Sequence, residues 1–350
     1  MNSFQKIALG ALLLSATGCT LIDDSERKDT YVPIGWKATD LPYPVALEFV
    51  QGRLIVASGD PGHCGIHVVD TATDTIVNYY RMEKGHLRGD FQLAARKDSL
   101  LIASQTVVLT KIDLTTGRRK TLMNLEPSAT PTSSTVTPWS SEGRVFIWAK
   151  SPYYFTELTA YSPYLQTLRP AYGITGIVTS GGRVVLSEGP TAKLYITSYP
   201  NVAAVDTLDL HQLTGDNKGN ALAMTSFEGS LFVKMQLESP DSAYVAVVNA
   251  TTLALEKKIP LVNKAFNTGR GHLRDGIWYL CGLEDRSLNG GGVEAIDLRS
   301  RTSLGIKVSN LEVGGNIYDF IPVAPGKGYV TFTVSDSTSG SYHHLRKVSF

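Results

Sequence analysis

Cysteine is scarce in this chain: Cys19, Cys64 and Cys281 are the only three in 350 residues. That excludes a disulfide-stapled scaffold, which needs several paired cysteines in a short chain. It also weakens any zinc reading, because structural zinc sites pair two Cys or His motifs and this sequence has one HxxxH (His63 to His67), no second one and no CxxC. An excess of charge of one sign is missing too, with 33 basic against 32 acidic residues and a formal net charge of +1. The clustered Lys and Arg that read as a phosphate footprint are therefore absent, and nucleic acid is not an expected partner. Long apolar runs are lacking beyond Ile7 to Leu14, which is too short for the about 20 residues of a membrane-spanning helix. The chain has no GxSxG nucleophile elbow, no GxxxxGK[ST] phosphate loop and no CxxCH haem attachment site.

What is abundant is a repeat. The stretches GRLIVAS, SLLIASQ, GRVFIWA, GRVVLSE, SLFVKMQ, GIWYLCG and GYVTFTV each follow a short polar turn, with hits starting at Arg53, Ser99, Arg144, Arg183, Ser230, Gly276 and Gly328. Their spacing falls in or near the range of about 40 to 50 residues that marks a four-stranded propeller blade. The sequence therefore predicts an all-β, seven-bladed β-propeller over residues 31–350. In the first blade, alternation and turn residues predict strands at Val45 to Val50, Arg53 to Ala57, Gly65 to Asp70 and Thr75 to Arg81. The last blade runs out of chain after Tyr342 to Phe350. An unpaired edge is a liability, so the segment Thr30 to Trp36 is expected to donate the missing strand outside that final strand and close the ring.

Third-strand segments share a second signature: HVVDTATDTIV at His67 to Val77, TKIDLTTGRRK at Thr110 to Lys120, AVVNATTLALE at Ala246 to Glu256 and EAIDLRSRTSL at Glu294 to Leu304. The Asp or Asn at each strand end is expected to accept backbone hydrogen bonds from the following turn. HVVDTATDTIV, with YVTF at Tyr329 to Phe332, resembles the repeat of YVTN-type seven-bladed propellers, a group of surface and secreted proteins. The resemblance implies fold rather than activity, and Arg144 to Leu210 departs from it.

The N-terminus has one cation, Lys6, then the apolar run, then small residues before Cys19, which is the layout of a secretory signal. Ser15 to Cys19 resembles a bacterial lipobox, with cleavage after Gly18 and lipidation of Cys19 implied; an ordinary signal peptide is the alternative. The domain reading is thus a signal at 1–18, a lipidated flexible tether at 19–30 and the propeller at 31–350. Thr20 rather than Asp after the cysteine implies, by resemblance to lipoprotein sorting, the outer membrane of a bacterial envelope.

Function is expected on loops between second and third strands and between blades, since connections carry variable chemistry. His63, Glu188, Asp285, Arg286, Tyr153 and Tyr154 fall in the first set and Arg88, Asp90 and Arg270 in the second, and together they form the candidate face for a ligand or partner. His63, Cys64 and His67 would suit zinc or copper, but loop packing is the preferred reading and no metal or cofactor is expected. Cys64 and Cys281 fall in separate blades, too far apart for a bridge, and are expected to be free. The two GHLR tetrapeptides, at Gly85 and Gly271, are out of register and read as coincidence. The leading expectation is a membrane-anchored, non-enzymatic binding or scaffold propeller for a protein or an extracellular ligand. The alternative is a propeller enzyme resembling the lactonase or quinoprotein type.

Overall fold

The computed structural model describes residues 34–350 apart from 60–63, 83–90, 97–99, 106–107, 125–135, 142, 151–152, 158–173, 199–204, 238–241, 263–270, 286–289, 310–315 and 337–339. A continuous apolar run needs burial on both faces. The repeated runs obtain it as the second strands of seven antiparallel sheets. The first sheet holds β1 (Pro44–Val50), β2 (Arg53–Ser58), β3 (Gly65–Asp70) and β4 (Thr75–Arg81). The second holds β5 (Phe91–Arg96), β6 (Leu100–Gln105), β7 (Val108–Asp113) and β8 (Arg119–Asn124), and the third β9 (Val136–Ser141), β10 (Arg144–Lys150) and β11 (Tyr153–Glu157). The fourth is β12 (Ile174–Ser180), β13 (Arg183–Glu188), β14 (Lys193–Ser198) and β15 (Val205–Asp209), followed by the short helix α1 (Leu210–Thr214). The fifth is β16 (Gly219–Phe227), β17 (Ser230–Leu237), β18 (Ala243–Asn249) and β19 (Leu255–Pro260). The sixth is β20 (His272–Arg274), β21 (Ile277–Asp285), β22 (Gly290–Asp297) and β23 (Thr302–Val308), and the seventh β24 (Asn316–Ala324), β25 (Lys327–Asp336) and β26 (Gly340–Ser349).

Each sheet is a meander in sequence order, and local hairpin chemistry sets its register. Gln51 and Gly52, at φ 50° and 77°, form the two-residue turn between β1 and β2, the left-handed pair that a tight hairpin requires. At the outer hairpins the expected polar acceptors are in place. Asp70 Oδ1 accepts from Ala72 N at 2.8 Å, and Asp113 Oδ1 from Thr115 N and Thr116 N at 2.9 and 3.1 Å. Asn249 Oδ1 accepts from Thr251 N and Thr252 N, both at 2.9 Å, and Asp297 Oδ1 from Arg299 N and Ser300 N at 2.9 and 3.2 Å. The amides of Thr116 and Thr115 hold the Asp113 carboxyl below its ordinary range.

Neighbouring sheets pack face to face through apolar clusters. Ile55, Ile66 and Leu93 join the first and second sheets, Phe146 and Trp148 meet Ile177 and Leu186 between the third and fourth, and Leu194 and Ile196 meet Val233 and Met235 between the fourth and fifth. Phe232 and Val245 pack on Trp278 and Ile296 between the fifth and sixth, and Tyr279 and Cys281 on Phe320 and Phe332 between the sixth and seventh. Leu47 and Ile76 of the first sheet share a cluster with Tyr329 and Leu345 of the seventh. Fully burying side chains such as Trp278, Phe146 and Phe232 contributes about 1.5–3 kcal/mol each, so these interfaces dominate stability. Cys64 and Cys281 are buried and free, as expected.

The N-terminal segment departs from expectation. Gly35 N donates to Ile76 O at 2.8 Å, Ile76 N to Trp36 O at 2.9 Å and Ala38 N to Asp74 O at 2.9 Å. Residues 35–38 therefore line the outer edge of β4 in the first sheet, not that of β26 in the last, and the seventh sheet has three strands among the described residues. The physical reason lies in the 3₁₀ turn Ala38–Asp40, where Ala38 and Leu41 are buried in the cluster between the seventh and first sheets. Burying that turn lays the preceding residues along β4. The Asp74 carboxylate sits at the same junction, accepting from Tyr329 OH and from Lys347 Nζ at 2.9 Å. Charged Lys347 and Arg346 blunt the edge of β26.

Candidate functional site

The first strands of all seven sheets line one cavity of about 690 Å³. Its walls differ. Val45, Ala46 and Glu48 of β1, His272 and Leu273 of β20 and Tyr318 and Asp319 of β24 make one side. Thr137, Trp139, Ser140 and Ser141 of β9, residues of β12 from Ile174 to Val178 and Leu222 to Ser226 of β16 make the other, with Gln92 of β5 between.

The charged wall is built around Asp319, which is 3% exposed. Its Oδ2 accepts from Leu47 N at 2.8 Å, and its Oδ1 from Phe320 N at 2.9 Å and from His272 Nε2 at 2.9 Å. One carboxylate thus fastens β20, β24 and β1 together and fixes the His272 ring with Nε2 as the donor. Gly271 is required beside it: a Cβ there would lie 2.3 Å from the Trp278 Nε1. Arg274 Nη1 adds a further tie to Pro322 O at 2.8 Å.

The hydroxyl wall is stitched in the same manner. Thr175 Oγ1 donates to Ala221 O at 2.8 Å, linking β12 to β16. Thr179 N donates to Ser141 Oγ at 2.9 Å and Ser226 Oγ to Thr179 O at 2.8 Å, so β9, β12 and β16 are joined lower down.

At the rim three rings stack. Tyr43 lies 4.4 Å from His343, and His343 5.2 Å from Tyr318, both pairs near parallel. Burial lowers the His343 pKa although a bond to the Pro44 carbonyl opposes it, which favours the neutral ring. Tyr43 adopts φ 52°, a left-handed conformation that costs energy in a non-glycine residue.

A second polar group lies between the fifth and sixth sheets. Lys234 is 1% exposed, and its pKa is lowered to about 8 by burial, with Glu294 opposing. Glu294, 1% exposed, accepts from Val262 N at 3.1 Å and Ser303 Oγ at 2.5 Å. Burial, reinforced by Asp319, raises the Cys281 thiol well above its ordinary value.

The residues expected on a loop face are distributed differently. Cys19, His63, Arg88, Asp90, Arg270 and Arg286 lie outside the described residues. Tyr153 and Tyr154 are in β11, paired with Lys150 and Ala149, rather than in a loop, because the β10–β11 hairpin extends through them. Asp285 is likewise in a strand, the last residue of β21, paired with Gly290. Glu188 ends β13 and is fully buried, its Oε2 accepting from Thr191 Oγ1 and from Tyr195 OH at 3.0 Å. Burial and that carboxylate push the Tyr195 hydroxyl up to about 12. The sequence reading missed His272, Tyr318 and Asp319. The second GHLR tetrapeptide was the available signal, since its last three residues, His272–Arg274, are the inner strand of the sixth sheet.

Comparison with solved structures identifies the fold. A chain of a mitotic checkpoint complex matches with a TM-score of 0.58 at 10% identity, over 92% of each chain. BamB from Moraxella catarrhalis matches at 0.50 and 12% identity over 87% of this chain and 82% of its own. Dihydro-heme d1 dehydrogenase NirN in complex with DHE matches at 0.50 and 14% identity, covering 89% and 70%. These neighbours are β-propeller proteins, and at such identities the likeness shows the fold alone. No protein-family model and no curated protein sequence matches the chain.

Proposed function

We propose that this chain is a seven-bladed propeller of the YVTN type, held at a bacterial envelope by a lipid on Cys19, and that it works as a binding module rather than an enzyme. The observation that carries the binding reading is the cavity lined by all seven inner strands. Concave sites of about 300–1,000 Å³ with a few convergent polar groups are the usual ligand sites. The seven sheets, the contacts of β1 with both β5 and β24, and the cluster shared by the seventh and first sheets support one ring of seven blades. The ring closes by side-chain packing and the Asp74 junction instead of a donated strand. The lipid reading draws on the apolar run and Cys19. Two chains of attached lipid would hold the propeller stably at the membrane, where one does not.

The test is native mass spectrometry of the full-length protein, purified from membranes. A ligand released unchanged, and lost in Tyr318→Ala, supports binding at the cavity. Loss of the lipid mass in Cys19→Ser supports the anchor, and an unlipidated wild-type protein removes it.

The His272–Asp319 pair favours a second reading, since an imidazole oriented by a carboxylate can serve as a general base. That reading requires a released product whose rate falls in His272→Gln, with a pH profile that changes shape.

A further inference from the structure

We infer that the cavity takes a neutral, polyhydroxylated ligand, a short oligosaccharide, stacked on the ring of Tyr318; this rests on the binding reading above. A sugar ring presents an apolar face of C–H groups and an edge of hydroxyls that both donate and accept. It therefore needs an aromatic platform beside mixed polar groups. Tyr318 is such a platform. It lines the cavity, is 37% exposed, and is backed by His343, which is itself backed by Tyr43. The stack holds the ring in place before a ligand arrives, so little ordering cost falls on binding. Trp139 lines the opposite wall while packing against the cluster between the third and fourth sheets.

Other ligand classes fit less well. Among the described lining residues there is no Lys or Arg, the side chains that recognise phosphate, sulfate and carboxylate groups. An amine would look for carboxylate charge, and the cavity has two carboxylates, Glu48 and Asp319. Asp319 already accepts three hydrogen bonds, one from His272 and two from backbone amides. Both of its oxygens are thereby already engaged by the sheets it joins. A purely apolar ligand would set the hydroxyls of Thr137, Ser140 and Thr225 against carbon. A polyol meets those hydroxyls and the Glu48 carboxylate with groups of either sense.

The test uses the full-length protein in a detergent without a sugar headgroup, probed with an array of neutral glycans including maltotriose, chitotriose and xylotriose. Spermidine and inorganic phosphate serve as the cation and anion arms, and calorimetry measures affinity. Saturable binding of a neutral glycan is expected, weakened about tenfold or more in Tyr318→Ala and changed less than about threefold in Tyr318→Phe. Melting curves show that both variants are folded. Binding of spermidine or phosphate without any glycan overturns the ligand class while leaving the cavity as a binding site. Glycan binding that survives Tyr318→Ala overturns the platform. No binding in any arm, with no adduct in the native mass spectrum, overturns both this inference and the binding reading beneath it.

Discussion

Removing the Asp319 side chain tests whether one carboxylate fastens three sheets. In Asp319→Ala the Leu47 amide and the His272 Nε2–H, at 2.8 and 2.9 Å in the native structure, lose their acceptor. Both lie in buried or largely buried surroundings, with the His272 side chain 13% exposed. A buried donor left unsatisfied costs about 1–3 kcal/mol, so the two together cost about 4 kcal/mol. The Phe320 amide adds less, because it follows Asp319 directly in the chain. At about 2 °C per kcal/mol for a large domain, the melting temperature should fall by about 8 °C. Asp319→Asn should lose about half as much, since the amide oxygen still serves one donor while the imidazole changes tautomer to accept from the amide nitrogen. A double-mutant cycle with His272→Ala should give a coupling of about 1–3 kcal/mol, as expected for residues in one network. Thermal unfolding by circular dichroism measures wild type, the three single variants and the double variant. A melting temperature for Asp319→Ala within about 2 °C of wild type, or strict additivity in the cycle, would refute the reasoning.

Asn249→Ala removes the acceptor of two turn amides and should cost about 1 kcal/mol in urea unfolding; Asn249→Asp keeps that acceptor but replaces the Nδ2 donor, 2.9 Å from Glu256 Oε1, with a second carboxylate, so it should also destabilise at pH 7. Lys234 has its folded-state pKa lowered to about 8 from an ordinary 10.5, so the unfolded chain binds more protons between those values and stability should rise with pH across that window. Lys234→Met should abolish that rise in denaturation measured from pH 7.5 to 10.5; a slope equal to wild type would show that the amine is not the cause. For Asp74, burial alone would raise the pKa, but the bonds from Tyr329 and Lys347 outweigh it and lower it below 3.8. Its contribution is therefore full above the unfolded value and lost as pH falls through the folded one, and Asp74→Asn should flatten acid unfolding below about pH 4.

Much of the architecture was legible because burial on two faces leaves a mark in sequence. Every repeated apolar run is the second strand of a sheet, from Arg53 in β2 to Gly328 in β25. That strand has neighbours on both edges and packed sheets on both faces, as the burial of β2, β13 and β17 shows. The Asx acceptors were equally readable, since their bonds span only two or three residues. The cavity was not. Inner strands place one edge against a central space, so His272, Tyr318 and Asp319 sit among ordinary strand residues, and their meeting depends on contacts such as the 47-residue separation between His272 and Asp319. Glu188 was misplaced for the converse reason. A glutamate before Gly-Pro reads as a loop acid, yet here it is buried by partners three and seven residues away, Thr191 and Tyr195.

The way the N-terminus is held also has a mechanical meaning. Residues 35–38 are the first described backbone to hydrogen-bond into the sheets, and they do so beside Asp74, where the first and last sheets meet. Any pull transmitted along the preceding chain is delivered at that seam. It acts first on the three hydrogen bonds between residues 35–38 and 74–76, and next on the Ala38 and Leu41 anchors. Traction from the N-terminal side would peel this short segment off an edge strand bond by bond, a low-force geometry, before it could load the interior strands. The clasp is in effect a mechanical fuse that yields ahead of the sheets around the cavity.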